Sequence, residues 1–300
     1  MTEHTAPTDD VWTVQRILQW TTTFLEEKEV ESPRLEAELL LAHARGCQRI
    51  RLYTDFETPL TDDERSLMRG FVKRRANREP LAYITGKREF YGRDFHVGAG
   101  VLVPRPETET LVDVCLDYIP NDSTTSVGEV GFGSGCISIT LAKQRPRLSV
   151  AASDISPDAM KFAQRNLTLH ELEEQIQLLA GDGYQPFTDA GLEAFDGIVS
   201  NPPYITIEEV SNLAPEVARH EPHTALVSGD DGLDLIRQLI TQASDHLKPG
   251  GWMALELDPT QSESVAELFM ADGFEEVRIH KDLSGQDRVV AATLKDASQQ

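Results

Sequence analysis

The chain has 300 residues, 40% of them apolar, which is enough for a buried core and for two domains, or one large domain with an appendage. Its 50 acidic residues against 28 basic ones give a net charge of −22. Residues 1–95 hold 15 Lys/Arg and 17 Asp/Glu, a net of −2, while residues 96–300 hold 13 and 33, a net of −20, so the larger part repels phosphate backbones and nonspecific nucleic-acid binding is not expected of it.

The opening MTEHTAPTDD is acidic and polar, without the basic and apolar regions of a secretory signal or the arginine-rich character of a mitochondrial transit peptide. No apolar run approaches membrane-spanning length. Cys47, Cys115 and Cys136 are odd in number and far apart, and they read as buried free thiols of a reducing cytoplasm. The histidines show no metal-ligand spacing; His220 and His223 come nearest, and no metal is expected.

Residues 10–78 read as helices. Val11, Val14, Ile17, Leu18, Thr21, Phe24 and Leu25 recur at helical spacing. Ser32 as N-cap, Pro33 in the first turn and Gly46 as a stop bound a second helix. Thr61 and Glu64 form a capping box that opens a third. Residues 1–80 are therefore expected to form a helical domain. Over 81–105, aromatic and β-branched residues around Gly86, Gly92, Gly98 and Gly100 suggest a hairpin linker. From 106 to 300 strand and helix patterns alternate, with strands expected at 126–130, 148–154, 175–182, 195–200 and 252–257. The clearest helix is the amphipathic stretch after Gly232, read as stopped by Gly250. Two closing strands, FEEVRIHKDL and RVVAATL, form a hairpin. The expectation is an α/β domain with a parallel sheet covered on both faces and one antiparallel strand near its edge.

The stretch EVGFGSGCISITLA is a strand, a glycine-rich turn and a helix. Gly131, Gly133 and Gly135 let the backbone turn tightly and approach a ligand without Cβ atoms in the way; the bland alternative is a turn that packs helix on strand. Asp154 ends the next strand, 19 residues after Gly135, where a carboxylate accepts both hydrogens of a ribose diol. The spacing G-x-G-x-G, without the last glycine of G-x-G-x-x-G, favours an adenosylmethionine site over a dinucleotide site. Asp182, at the end of the third strand, is a candidate acceptor for the adenine amino group, or else an ordinary turn or N-cap residue.

The fourth strand, FDGIVS, stops on Asn201-Pro202-Pro203-Tyr204. An amide or exocyclic amine is a poor nucleophile because its lone pair is delocalised into the neighbouring carbonyl or ring. To be methylated it must be held with that lone pair facing the donor and both N–H bonds accepted. Asn201 offers a side-chain carbonyl, Pro202 a backbone carbonyl on a chain of fixed φ, Pro203 stiffness and Tyr204 a stacking face. Rigid positioning of this kind is catalysis by orientation. The structural alternative is a cis-proline turn with a packing tyrosine. The basic run Lys73–Arg78, KRRANR, is either a solvated helix face or a dock for an acidic partner.

Over nearly its whole length the sequence resembles the bacterial release-factor glutamine N5-methyltransferases. The stretches that carry the resemblance include EPLAYITGKREFYG, VLVPRPETETLVD, GFGSGCISITLA, SDISPDA, FDGIVSNPPYI, EPHTALVSGDDGLDLIR, LKPGGWMALEL and KDLSGQDRVVAA. PRPETE and EPHTAL separate it from DNA amino-methyltransferases that share only N-P-P-Y. The resemblance implies a helical substrate-recognition domain (1–80), a hairpin linker (81–105) and a Rossmann-like methyltransferase domain (106–300). It implies methyl transfer from S-adenosyl-L-methionine to the glutamine of the Gly-Gly-Gln loop in peptide-chain release factors, in the cytoplasm, with no direct nucleic-acid or membrane partner. Carried over, Gly131, Phe132, Gly133, Ser134, Gly135, Asp154, Asp182, Gly183 and Asn201 belong to the cofactor site. Asn201, Pro202, Pro203 and Tyr204 hold the glutamine, with Asn201, Pro202 and Tyr204 as the catalytic set. The sequence departs from the family pattern at Glu129, usually Asp; at Phe132, usually small; and at Gly183, often aromatic. Two other readings are an amino-methyltransferase for adenine or cytosine in nucleic acid, which the acidic charge of residues 96–300 opposes, and a catalytically silent cofactor-binding protein, which the intact Asn201–Tyr204 motif opposes.

Overall fold

The computed structural model describes residues 11–192 and 194–296. The chain divides into two compact units that meet in sequence at Thr85 and Gly86. Among the described residues no helix is long and apolar enough to cross a membrane.

The first unit is helical, with helices at Val14–Glu26, Pro33–Arg45, Arg51–Thr54, Asp62–Ala76 and Leu81–Thr85. The apolar positions spaced along the first helix pack inward: Val14, Ile17, Leu18 and Leu25 join Leu40, Leu41, Leu52 and Met68 in one core, whereas Val11 lies before the helix and is exposed. Thr61 and Glu64 form the expected reciprocal capping box. Ser32 differs: its side chain makes no capping bond, and the helix start rests on Pro33, whose missing N–H is one the first turn leaves unpaired anyway. The basic run is also not a free face. Arg75 is buried against Glu36, and Arg74 grips Glu79 through two bonds of 2.8 and 2.5 Å, while Lys73 is exposed.

The second unit opens with a hairpin, β1 (Lys87–Phe90) and β2 (Arg93–His96), turned by Tyr91 and Gly92, both at positive φ, the geometry that matches the twist of paired strands. The hairpin is tied down by Asn166, which accepts from the His96 N–H and donates to the His96 and Ser134 carbonyls. Seven further strands follow: β3 (Thr125–Val130), β4 (Leu148–Asp154), β5 (Ile176–Ala180), β6 (Phe195–Ser200), β7 (Leu247–Glu256), β8 (Phe274–Lys281) and β9 (Asp287–Leu294). They form one sheet in the order β5-β4-β3-β6-β7-β9-β8, in which the first five are parallel and β9 runs antiparallel between β7 and β8. This is the Rossmann-like α/β class. β3 and β6 are almost continuously buried because helices cover both faces. One boundary moves: the helix that starts at Asp234 ends at Gln242, and Gly250 lies within β7, at positive φ where the register with β6 shifts. Gly250 thus serves an irregular strand start, not a helix stop.

Candidate active site

The strand order reverses between β3 and β6, and the carboxyl ends of β3, β4, β5 and β6 all open onto one crevice, the place where parallel sheets bind ligands. A cleft partly open to solvent occupies it. Of the residues singled out in the sequence, Gly131, Phe132, Gly133, Ser134, Asp154, Asp182, Gly183, Asn201 and Pro203 line this cleft. Gly135, Pro202 and Tyr204 flank it without lining it.

The glycine turn is held by the neighbouring strand. The N–H groups of Gly131 and Phe132 both donate to the Ser153 carbonyl, at 2.8 and 3.3 Å. Gly131, Gly133 and Gly135 all take the left-handed region. A Cβ at Gly131 would meet no protein atom within 4 Å, so it would project into the space the turn leaves open. Asp154 faces the turn: one carboxylate oxygen accepts from Gly133 N–H and the other from Ser156 N–H, each at 2.8 Å. Burial raises its pKa, and those two N–H groups pull against that shift. Asp182 is exposed in the cleft, and its carboxylate makes no hydrogen bond to a described residue; it is not a helix cap, since the next helix starts at Gln185 with Tyr184 before it. Ile155, 63% exposed beside Asp154, gives the cleft an apolar face that periodicity does not reveal. At Gly183 the carbonyl accepts from Ser153 Oγ at 2.8 Å, and the next aromatic, Tyr184, turns away from the cleft to stack on His246 and donate to the Leu239 carbonyl.

Glu129 is fully buried under the turn. Its Oε2 accepts from the Ser138 N–H at 3.0 Å and from the Ser138 hydroxyl, and its Oε1 meets no hydrogen-bond partner among the described residues. Burial pushes its carboxyl up to about 8, with Asp154 adding to the shift against the Ser138 bonds. Cys136, at the head of the following helix, is buried at the cleft wall and its thiol is pushed up to about 12.

Past β6 all described peptide bonds are trans, so Asn201–Tyr204 is not a cis-proline turn. The segment is fixed from both sides. Ser200 Oγ donates to the Val130 carbonyl at 2.7 Å, Ile205 N–H donates to Leu226, and Gln261 Nε2 donates to the Tyr204 carbonyl. The Asn201 amide donates from Nδ2 to Thr108 Oγ1 at 3.2 Å, which leaves Oδ1 free to accept at the cleft. No described donor reaches the Pro202 carbonyl. Tyr204 directs its hydroxyl at Glu256, 3.5 Å away, and burial raises its pKa. Its ring, part-buried, packs against the core cluster and is not among the residues that line the cleft.

A second wall comes from residues 100–105. It is pinned by Glu221, which is almost wholly buried and accepts from the Val103 N–H and from Arg105 at 2.5 Å. Thr108, Glu256, Arg105 and Glu221 carry no motif spacing that chemistry alone would pick out; they lie 52 to 118 residues from the groups they hold, and only the fold brings them together.

The family profile for the PrmC N-terminal domain matches residues 16–86, and that for the methyltransferase small domain matches residues 108–229. A release factor glutamine methyltransferase of Geobacter sulfurreducens is 43% identical over 285 residues, covering 95% of this chain and 98% of its own. One of Rhodopirellula baltica is 41% identical over 293 residues, covering 94% and 97%. Among solved structures, the hMettl16 catalytic domain in complex with an RNA hairpin superposes with a TM-score of 0.56 at 15% identity, covering 73% of this chain and 81% of that one, a likeness of fold alone.

Proposed function

This chain belongs to the release factor glutamine methyltransferases, and from that premise we propose how its residues divide the work. It transfers a methyl group from S-adenosyl-L-methionine to the side-chain amide nitrogen of a glutamine. The glycine turn, the carboxylates and the apolar Ile155 fit an adenosyl group: Gly131 opens onto empty space, Asp154 keeps a second lone pair on each oxygen for a ribose diol, and the Asp182 carboxylate has no hydrogen-bond partner to displace among the described residues. When bound, S-adenosyl-L-methionine supplies an electrophilic methyl group on its sulfonium.

The chain's own part is orientation. Asn201 Oδ1 and the Pro202 carbonyl accept the two N–H bonds of the substrate amide, which turns the nitrogen lone pair toward the methyl donor. The nitrogen becomes acidic once methylated and gives up one of those hydrogens as a proton, so no general base has to act first. Tyr204 contributes from behind, by bracing the motif. The observation that carries this reading is the bond from Asn201 Nδ2 to Thr108, which commits the donor end of the amide and leaves its acceptor end for substrate. The substrate is the Gly-Gly-Gln loop of a peptide-chain release factor, met in the cytoplasm. The helical unit serves as the docking surface, because one loop tip buries too little area for a specific interface. Incubation of the protein and S-adenosyl-L-methionine with a release factor, followed by mass spectrometry, is expected to find one added methyl on that glutamine. Methylation elsewhere, or none, would refute the assignment.

A further inference from the structure

We propose that the groove between the helices Val14–Glu26 and Asp62–Ala76 is a docking site for an acidic amphipathic helix of the protein substrate. The inference rests on the reading of the chain as an enzyme for an intact release factor. It goes beyond that reading by naming the contact surface on the helical unit and the chemistry it selects.

The floor of the groove is apolar: Ile17, Met68 and Val72 line it and belong to the core of the helical unit. One wall is an aromatic row. Trp20 lies edge-on to Trp12, with 6.2 Å between ring centroids, and stacks on Phe24 at 5.2 Å and 7°. Trp20 is nonetheless 47% exposed, so its neighbours hold the indole in place without covering it. A large ring already immobilised loses little further freedom on binding, and tryptophan is enriched among the side chains that dominate interfaces.

The other wall carries charge. Arg65, Arg69 and Lys73 line the groove at a spacing of four, which sets them in one stripe along their helix. Arg65 pairs with Asp62, but Arg69 and Lys73 are exposed and make no ion pair or hydrogen bond with a described residue. Their neighbours Arg74 and Arg75 are neutralised by Glu79 and Glu36. At the aromatic wall Arg16 sits 4.8 Å over the Trp12 ring and Lys28 5.7 Å from that of Phe24. Among the described residues no acidic side chain lines the groove, although the chain has 50 acidic residues against 28 basic ones. Cations left without counter-charges beside an apolar floor select an occupant that is both acidic and apolar.

The backbone decides its shape. Both walls are helical, so their N–H and C=O groups are paired within the helices and offer no ladder to an extended strand. An occupant must satisfy its own backbone, which a helix does. From Arg65 to Ala76 the charged wall runs about 17 Å at 1.5 Å per residue, the length of roughly three helical turns. A helix of that length sets apolar side chains at i, i+4 and i+7 on the floor and carboxylates four residues apart along the stripe.

The test uses the full chain and an intact release factor, comparing wild type with W20A, with the charge reversal R69E/K73E and with N201A. W20A and R69E/K73E are expected to raise KM for the factor on the order of 10- to 100-fold, with kcat and S-adenosyl-L-methionine affinity within about twofold of wild type. The rise of KM with added salt is expected to shrink in R69E/K73E. Hydrogen exchange of the wild-type complex with the factor and S-adenosyl-L-homocysteine is expected to protect residues 12–24 and 65–76, together with one acidic, helically amphipathic segment of the factor. Wild-type KM in both W20A and R69E/K73E, beside an inactive N201A, overturns the groove and leaves the proposed function standing. A wild-type chain that does not methylate the factor overturns that function and the groove's occupant with it. Protection of a basic or extended segment of the factor refutes the helix. Sedimentation of the chain alone as a dimer that W20A dissolves assigns the groove to a second copy, and tight binding of single-stranded RNA lost in both variants assigns it to nucleic acid; either result overturns the proposal. Should W20A fail to fold, R69E/K73E decides, since both of its positions are exposed.

Discussion

Replacing Asp154 by alanine removes more than a ribose contact. Its two oxygens each accept a backbone N–H at 2.8 Å, from Gly133 inside the glycine turn and from Ser156 at the start of the next helix. Hydrogen bonds to a charged acceptor contribute about 1.5–3 kcal/mol each, and the cleft admits water that satisfies the orphaned N–H groups in part. We therefore expect a cofactor dissociation constant raised roughly 10- to 100-fold, the equivalent of about 1.4–2.7 kcal/mol, together with a lower melting temperature of the cofactor-free protein. Asp154→Asn sharpens the test. It keeps shape and volume, but its amide has an acceptor at one end and a donor at the other, so one of the two backbone N–H groups must face an N–H. It should recover at most one of the two bonds and bind clearly less well than wild type. Isothermal titration with S-adenosyl-L-methionine and S-adenosyl-L-homocysteine reads both variants. A dissociation constant within twofold of wild type in Asp154→Ala, or wild-type affinity in Asp154→Asn, would refute the reasoning.

Asn201→Ala is expected to cut methyl transfer on the order of 10²-fold or more while cofactor affinity stays unchanged, since the side chain serves the nucleophile; calorimetry that found both lost together would contradict the assignment. Arg75→Ala should destabilise the helical unit by about 3–5 kcal/mol in denaturant unfolding, because it strands Glu36, whereas exposed Lys73→Glu should leave stability alone and raise KM for an intact release factor. An unchanged KM in Lys73→Glu removes that residue from the docking surface. Glu129 supplies a pH test: its folded carboxyl stands near 8 against an ordinary 4.5, so over that window the unfolded chain gives up a proton that the folded one keeps, and stability falls as pH rises, levelling off above it. Glu129→Gln should flatten the fall and melt higher than wild type at pH 9; parallel melting curves for the two proteins across this range would show that the acid is not held neutral.

The elements that repeat a local rule were legible in the sequence. The apolar spacing of the first helix, the Thr61–Glu64 box, the strand-turn-helix around Gly131 and the stop at Asn201-Pro202-Pro203 each follow from a few adjacent residues, because backbone geometry and capping act within one turn or one strand. Where a glycine has two uses the sequence alone misled: Gly250 has the spacing of a helix stop, but Leu247 already pairs with Phe195 of β6, and Gly250 lies in the irregular stretch before the ladder resumes at Trp252. The same holds for the basic run, whose neutralisation depends on Glu36, 39 positions before Arg75.

The sequence also determined which chemistry is available, since only certain side chains offer paired acceptors at the end of a buried strand. It could not determine the direction in which they act. That Tyr204 turns its hydroxyl to a buried acid, that Asp154 holds the glycine turn, and that the Asn201 amide presents its oxygen all depend on partners far along the chain: Glu256, Gly133 and Thr108. A hydrogen bond has a sense as well as a length, and the sense is fixed by the whole set of donors and acceptors that folding gathers around a group. Only the tertiary structure, by setting the end of β7 beside the end of β6 and the Pro106–Thr108 turn, supplies that set.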